Sequence, residues 1–167
     1  MIRLANLNDL SRLVDIYYQS VEKGGITADW ATPDVPVAYL NNLSTHINNP
    51  QYPLYVIEDE AKNIIGYSYL APTRQRAGWK NTVEITYYFD LNHVGRGLGS
   101  KMLAFIIDEA TRLGYRSLLA TIHAKNEASA ALLKKFKFDQ WGFYPEVVYN
   151  AHLDQWFDIG IFGRKLN

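Results

Sequence analysis

Residues 93–115 read HVGRGLGSKMLAFIIDEATRLGY. Gly95, Gly97 and Gly99 alternate, and Ser100 opens a run with helical periodicity. Such a loop turns successive backbone N–H groups into one concavity, and the dipole of the following helix adds partial positive charge. Glycines let the main chain approach a bulky diphosphate with no side chain in the way. A P-loop needs Lys directly after its last Gly, and here Ser100 separates Gly99 from Lys101. A dinucleotide fingerprint needs G-x-G-x-x-G, and here the spacing is G-x-G-x-G. Two readings remain, a diphosphate cradle and a plain strand-to-helix turn whose glycines only serve φ.

A second group of residues lies upstream. Glu84 sits in TVEITYYFD (82–90), a segment otherwise β-branched and aromatic. A carboxylate there is either inward, desolvated and raised in pKa, or outward and wet. Arg74 and Arg76 stand on the polar loop PTRQRAGWKN (72–81) that leads into it. Guanidinium groups grip carboxylates in bidentate fashion, so two of them beside a base suit an amino-acid-like molecule; the alternative is two solvated surface arginines. There is no Cys, which removes disulfides, thiolate metal sites and Cys nucleophiles. His46, His93, His123 and His152 have no metal-ligand spacing, so no metal is expected.

The elements that must position these groups follow from periodicity. Residues 2–5 read as a strand and 8–21 as a helix capped by Asn8. Gly and Pro make 24–36 a loop, and a second helix is expected over 37–47. Strands are expected at 54–59 and 63–71, around a turn at Ala61–Asn63, and at 82–90. A helix then runs from Ser100 to Leu113, closed by Gly114, followed by a strand at 117–123 and a helix at 127–136. Strands near 142–149 and 155–166 complete the chain. The order is that of an α/β protein with a mixed α+β sheet, partly antiparallel, with one strand–helix–strand crossover at 82–123. No repeat or linker divides the 167 residues, so a single domain over 1–167 is expected.

Composition bounds the partners. Lys and Arg number 17, as do Asp and Glu, so no bulk basic field exists to hold nucleic acid or an acidic membrane. No apolar run approaches the roughly 20 residues of a membrane helix, and MIRLANLNDL lacks the apolar core of a signal peptide. The expectation is a cytoplasmic enzyme or small-molecule binder.

At this point the residues resemble the GCN5-related N-acetyltransferase (GNAT) superfamily, whose signature [Q/R]-x-x-G-x-[G/A] opens a helix after a central strand. Here the hexad is Val94-Gly95-Arg96-Gly97-Leu98-Gly99, with Val in the first place. TRQRAGWKNTVE (73–84), Asn126-Glu127-Ala128-Ser129 and the ending QWFDIGIFGRKL resemble the phosphinothricin and methionine-sulfone acetyltransferase branch. The resemblance implies the GNAT acyl-CoA N-acyltransferase fold, a central and mostly antiparallel sheet flanked by helices. It implies acetyl-CoA as acetyl donor, its pyrophosphate held by Val94 to Ser100, and Tyr87, Tyr88 and Phe89 beside the thioester. Arg96 would supply the charge that Val94 does not. Asn126 and Ser129 would fix the pantetheine or a water, although Asn126 also suits a helix cap. Glu84 would be the general base for a small amine substrate bound by Arg74, Arg76 and Trp79, in a homodimer. Relatives often carry a Tyr a few residues after N-x-x-S; the matching Leu132, Leu133 and Lys134 are no such acid, so none is assigned, and Tyr144, Tyr149 and His152 are the other candidates. Lys137-Phe138 stands where relatives read Gly-Phe or Gly-Tyr, and a positive φ there would cost about 1 kcal/mol. Two other readings stay open: a cationic acceptor (a polyamine, an aminoglycoside or a protein amine) met by Glu22, Asp29 and Asp34, and a non-catalytic acyl-CoA sensor.

Overall fold

The computed structural model describes residues 1–24 and 26–166. Gly25, in the loop expected at 24–36, and Asn167 lie outside the described residues. The strands are β1 (Ile2–Leu4), β2 (Leu54–Glu58), β3 (Ile64–Pro72), β4 (Thr82–Phe89), β5 (Ser117–His123), β6 (Asp139–Asn150) and β7 (Gln155–Lys165). The helices are α1 (Leu10–Lys23), α2 (Val35–Ser44), α3 (Leu98–Arg112) and α4 (Glu127–Lys135). All strands join one sheet in the order β1-β2-β3-β4-β5-β7-β6. Among the described residues only β4 and β5 are parallel, with α3 as their crossover, so the mixed and mostly antiparallel sheet is as expected.

Alternation along β4 sorts its side chains between two layers. Val83 and Ile85 face α3 and α4, in a core with Leu103, Ile106, Leu118 and Leu133. Tyr88 faces α1 and α2, in a core with Leu13, Ile16, Leu43 and Tyr67. Glu84 and Tyr88 therefore share one face of the sheet, and Tyr87 lies on the other.

Several boundaries differ from the sequence reading. Asn6, not Asn8, caps the first turn: its side chain accepts from the Asn8 N–H at 2.9 Å, and Asp9 accepts from the Asn6 N–H at 2.8 Å. That reciprocal box holds a 3-10 turn over Leu7–Asp9, and α1 starts only at Leu10. Helix α2 starts at Val35 because Pro36 is preset for a first helical turn, and it stops at Ser44. Helix α3 starts at Leu98, two residues before Ser100. Strand β6 is longer than read, since pairing with β7 carries it from Asp139 to Asn150 across two register shifts. Lys137 does take φ 61°, the left-handed conformation foreseen for that site.

Candidate active site

Strands β4 and β5 pair only through Thr82–Ser117, Val83–Leu118 and Glu84–Leu119. Beyond Glu84 they part. Strand β4 stays with β3, in unbroken register from Val83 to Phe89, while β5 follows β7 to His123. The two strands thus diverge. No bulge of β4 against β3 produces the divergence; the competing β5–β7 ladder draws β5 away. The β5-facing backbone groups of β4 are left without a strand partner, and a cleft of about 190 Å³ opens between the two strands. Tyr87, Tyr88, Phe89, Val94, Asn126 and Ser129 all line it, so six of the proposed cofactor contacts converge.

The glycine loop closes one end. Gly95 and Gly97 have φ 80° and 77°, which only glycine adopts freely, and a Cβ at either would meet nothing within 4 Å. The loop is thus both strained for any other residue and open to a bulky group. Gly97 is the N-cap of α3, so free N–H groups of a 15-residue helix start there. Gly99 serves packing instead: a Cβ there would lie 2.8 Å from Leu132 Cδ2 on α4. The cradle and the plain turn are therefore both represented, at different glycines. These features fit the diphosphate of acetyl-CoA.

Two loop side chains do not face the cleft. Leu98 packs on Ile57, Ile65 and Met102, and Arg96 lines a separate hollow with Glu58, Asp59 and Lys62. The cation that reaches the loop is Lys135, whose Nζ donates to Ser100 Oγ at 3.0 Å from the last turn of α4. No spacing rule in the sequence links those two residues. Asn126 is a helix cap: its Oδ1 accepts from the Ser129 N–H at 3.1 Å.

Across the sheet, Glu84 lines a hollow of about 480 Å³ with Arg74, Trp79, Thr121, Tyr144 and Val148. Thr121 also lines the cleft, so the two cavities meet at β5. The Arg74 guanidinium lies 5.8 Å from the Trp79 ring, and its Nη1 donates to the Thr73 carbonyl at 2.8 Å. Arg76 is exposed, immediately precedes the short 3-10 turn over Ala77–Trp79, and lines neither cavity. Of the cationic-acceptor residues, Glu22, Asp29 and Asp34 line neither cavity, and Asp29 accepts a hydrogen bond from the Tyr17 hydroxyl.

Five tyrosines and two histidines complete the surroundings. Tyr17 stacks on Tyr39 at 3.5 Å and meets Tyr88 edge-on at 4.9 Å. Burial, with the neighbouring phenols, pushes Tyr88 well up from its ordinary value. His123, at the end of β5, reaches the Thr27 carbonyl at 3.0 Å and so fastens the 26–29 loop to the sheet; burial holds its pKa down. Tyr149 donates to Asp154 at 2.7 Å and is exposed, as is His152. The residue that the sequence reading undervalued is Tyr87, whose hydroxyl is buried and has no hydrogen-bond partner. Among the described residues no cluster of three His, Cys, Asp or Glu forms a metal site, and no helix is long and apolar enough to cross a membrane.

Known proteins share this arrangement. Residues 1–139 match the model of the acetyltransferase (GNAT) domain. YwnH of Bacillus subtilis, whose name provisionally describes a phosphinothricin acetyltransferase, is 34% identical over 167 residues, 99% of each chain. An L-methionine sulfoximine/L-methionine sulfone acetyltransferase of Pseudomonas paraeruginosa is 30% identical over 99% of this chain and 94% of its own. The crystal structure of a GNAT superfamily phosphinothricin acetyltransferase from Sinorhizobium meliloti, in complex with acetyl-CoA, superposes with a TM-score of 0.90 at 28% identity, covering 100% of this chain and 88% of that one. The glycine cradle, the parted strands and these likenesses agree: the chain belongs to the GNAT family and is an N-acetyltransferase.

Proposed function

We propose that this protein acetylates the amine of a small amino acid or analogue, of the phosphinothricin or methionine sulfone and sulfoximine type, using acetyl-CoA. The observation that carries the reading is that Glu84 and Arg74 line one hollow, which meets the β4–β5 cleft at Thr121. Arg74 takes the substrate carboxylate, with Trp79 as a wall of the hollow, and the amine faces β4. At neutral pH that amine is an ammonium and cannot attack. Glu84 removes its proton, directly or through a water. The nitrogen lone pair then adds to the thioester carbonyl, whose oxygen is polarised by the unpaired β4 backbone N–H groups. Collapse breaks the C–S bond and releases CoA. Holding both substrates along β4 supplies the entropic advantage, and no covalent enzyme intermediate is needed.

The resemblance and the relatives' names support the amino-acid class, and the seating of Glu22, Asp29 and Asp34 away from both cavities weighs against a polycation. We place the protein in the cytoplasm, as a homodimer. The pairing is supported by Trp141, Phe143 and Val147, exposed apolar side chains on β6, the last strand of the sheet. Thiol release from acetyl-CoA, measured across phosphinothricin, methionine sulfone and sulfoximine, ordinary amino acids, polyamines and an aminoglycoside, tests the reading. Release with the amino-acid analogues alone is expected. Release with polycations alone would discard the carboxylate clamp and keep the acetyl-CoA cleft.

A further inference from the structure

We infer that the Tyr87 hydroxyl donates the hydrogen bond that receives the thioester sulfur as CoA departs; the inference rests on the acetyl transfer proposed above. Tyr87 lines the cleft on the face of β4 opposite Glu84. Its ring packs against the core that holds Leu133 and Phe138, which fixes its direction. Its hydroxyl is buried and unpaired; among the described residues the other two such side-chain atoms are ring nitrogens of His93 and His123. A buried hydroxyl without a partner is disfavoured and calls for a ligand atom.

Helix α4 does not offer a competing proton donor of this kind. Leu133 is fully buried in the core, Leu132 packs on Gly99, and Lys134 is exposed. The Ser129 side chain opposes the upward push that burial gives the Tyr87 phenol, without completing a hydrogen bond to it. On the other face, Tyr17 is committed to Thr27 and Asp29. Tyr88 also lines the cleft, but its ring turns to the aromatic cluster of Tyr17 and Tyr39 on that other face; among the described residues, Tyr87 is the cleft phenol whose hydroxyl is buried without a partner.

The step balances without an added reactant. The amine nitrogen bonds to the carbonyl carbon, the C–S bond breaks, and its electron pair goes to sulfur. The Tyr87 O–H donates to that sulfur while it carries the charge. Because burial raises the phenol above its ordinary value, Tyr87 keeps its proton. The released thiolate takes a proton from water, and the proton lost by the ammonium leaves through Glu84.

Tyr87→Phe deletes one oxygen and keeps the ring. The expected kcat falls about tenfold to a hundredfold, the scale of a donor lost beside a developing charge, with the Michaelis constants within about twofold. The melting temperature should hold or rise, because no protein hydrogen bond is lost. A second readout needs no turnover: the thiol of bound CoA, followed by its ultraviolet absorbance against pH, should ionise at lower pH on the wild type than on Tyr87→Phe. Wild-type kcat together with an unshifted thiol would overturn the inference, and so would a lowered melting temperature, which would mean that the hydroxyl has a protein partner. If the wild type transfers acetyl to no amine, the function proposed above fails, while the CoA titration still decides the role of Tyr87.

Discussion

The proposed donor side and the proposed acceptor side of this molecule are built from different materials. The donor side is mostly backbone: two left-handed glycines, the start of α3, and a stretch of β4 that β5 has left. The acceptor side is mostly side chains: Glu84, Arg74, Trp79 and Tyr144, partly on exposed loops. Backbone features tolerate many surrounding sequences and hold one shared ligand. Side-chain features change with single substitutions and select the partner. The difference predicts that damage to the donor side acts on any acceptor alike, and damage to the acceptor side acts by acceptor.

The largest effect should come from Glu84→Gln. If Glu84 deprotonates the amine, kcat falls by at least about a hundredfold, while binding of acetyl-CoA, measured by calorimetry, is unchanged. Equal turnover would move the base elsewhere and leave the cleft intact.

Gly97→Ala comes next. Forcing a Cβ into φ 77° costs about 1 kcal/mol or more, and the methyl would project into the open cradle. The Michaelis constant for acetyl-CoA should rise about tenfold for every acceptor tested, with the acceptor's own constant unmoved. A change confined to one acceptor would break the division between the two sides. Arg74→Ala is its counterpart. Loss of a charged hydrogen bond should raise the Michaelis constant for an amino acid about tenfold, and leave that for the decarboxylated amine near its wild-type value. Equal losses for both amines would reassign Arg74 to folding or to the donor side.

The same division explains what was legible in the sequence. The glycine spacing, the strand–helix–strand order and the Glu84 strand are local patterns, and each fell within a few residues of its place. The parting of β4 from β5 is not local: it arises from β7 pairing with β5 some 40 residues on in the chain, at Ser117–Lys165 to His123–Ile159. Lys135 beside Ser100 depends in the same way on how α4 packs across α3. Asn126 was readable in two ways because one amide suits both a cap and a ligand contact, and the geometry displays the cap. Arg74 and Arg76 are two residues apart in one polar loop; the course of that loop into the turn at Ala77–Trp79, and not their type, decides which one lines the hollow with Glu84. Tyr87 and Tyr88 look alike in sequence and both line the cleft, and strand alternation alone turns one ring to an aromatic cluster and the other to the opposite core with its hydroxyl unpaired.

The smallest expected effect lies outside both sides and sharpens the comparison by its silence. Lys137 closes α4 at φ 61°. A left-handed lysine costs roughly 1–2 kcal/mol, part of which glycine would offset by its greater freedom in the unfolded chain. Lys137→Gly should therefore stabilise the fold by about 0.5–1 kcal/mol, a rise in melting temperature of about 1–4 °C for a chain of this size. Neither Michaelis constant should change, since Lys137 lines neither cavity. A change in the acetyl-CoA constant would mean that the turn after α4 sets the position of Lys135 at the glycine loop, and would extend the donor side to the end of that helix.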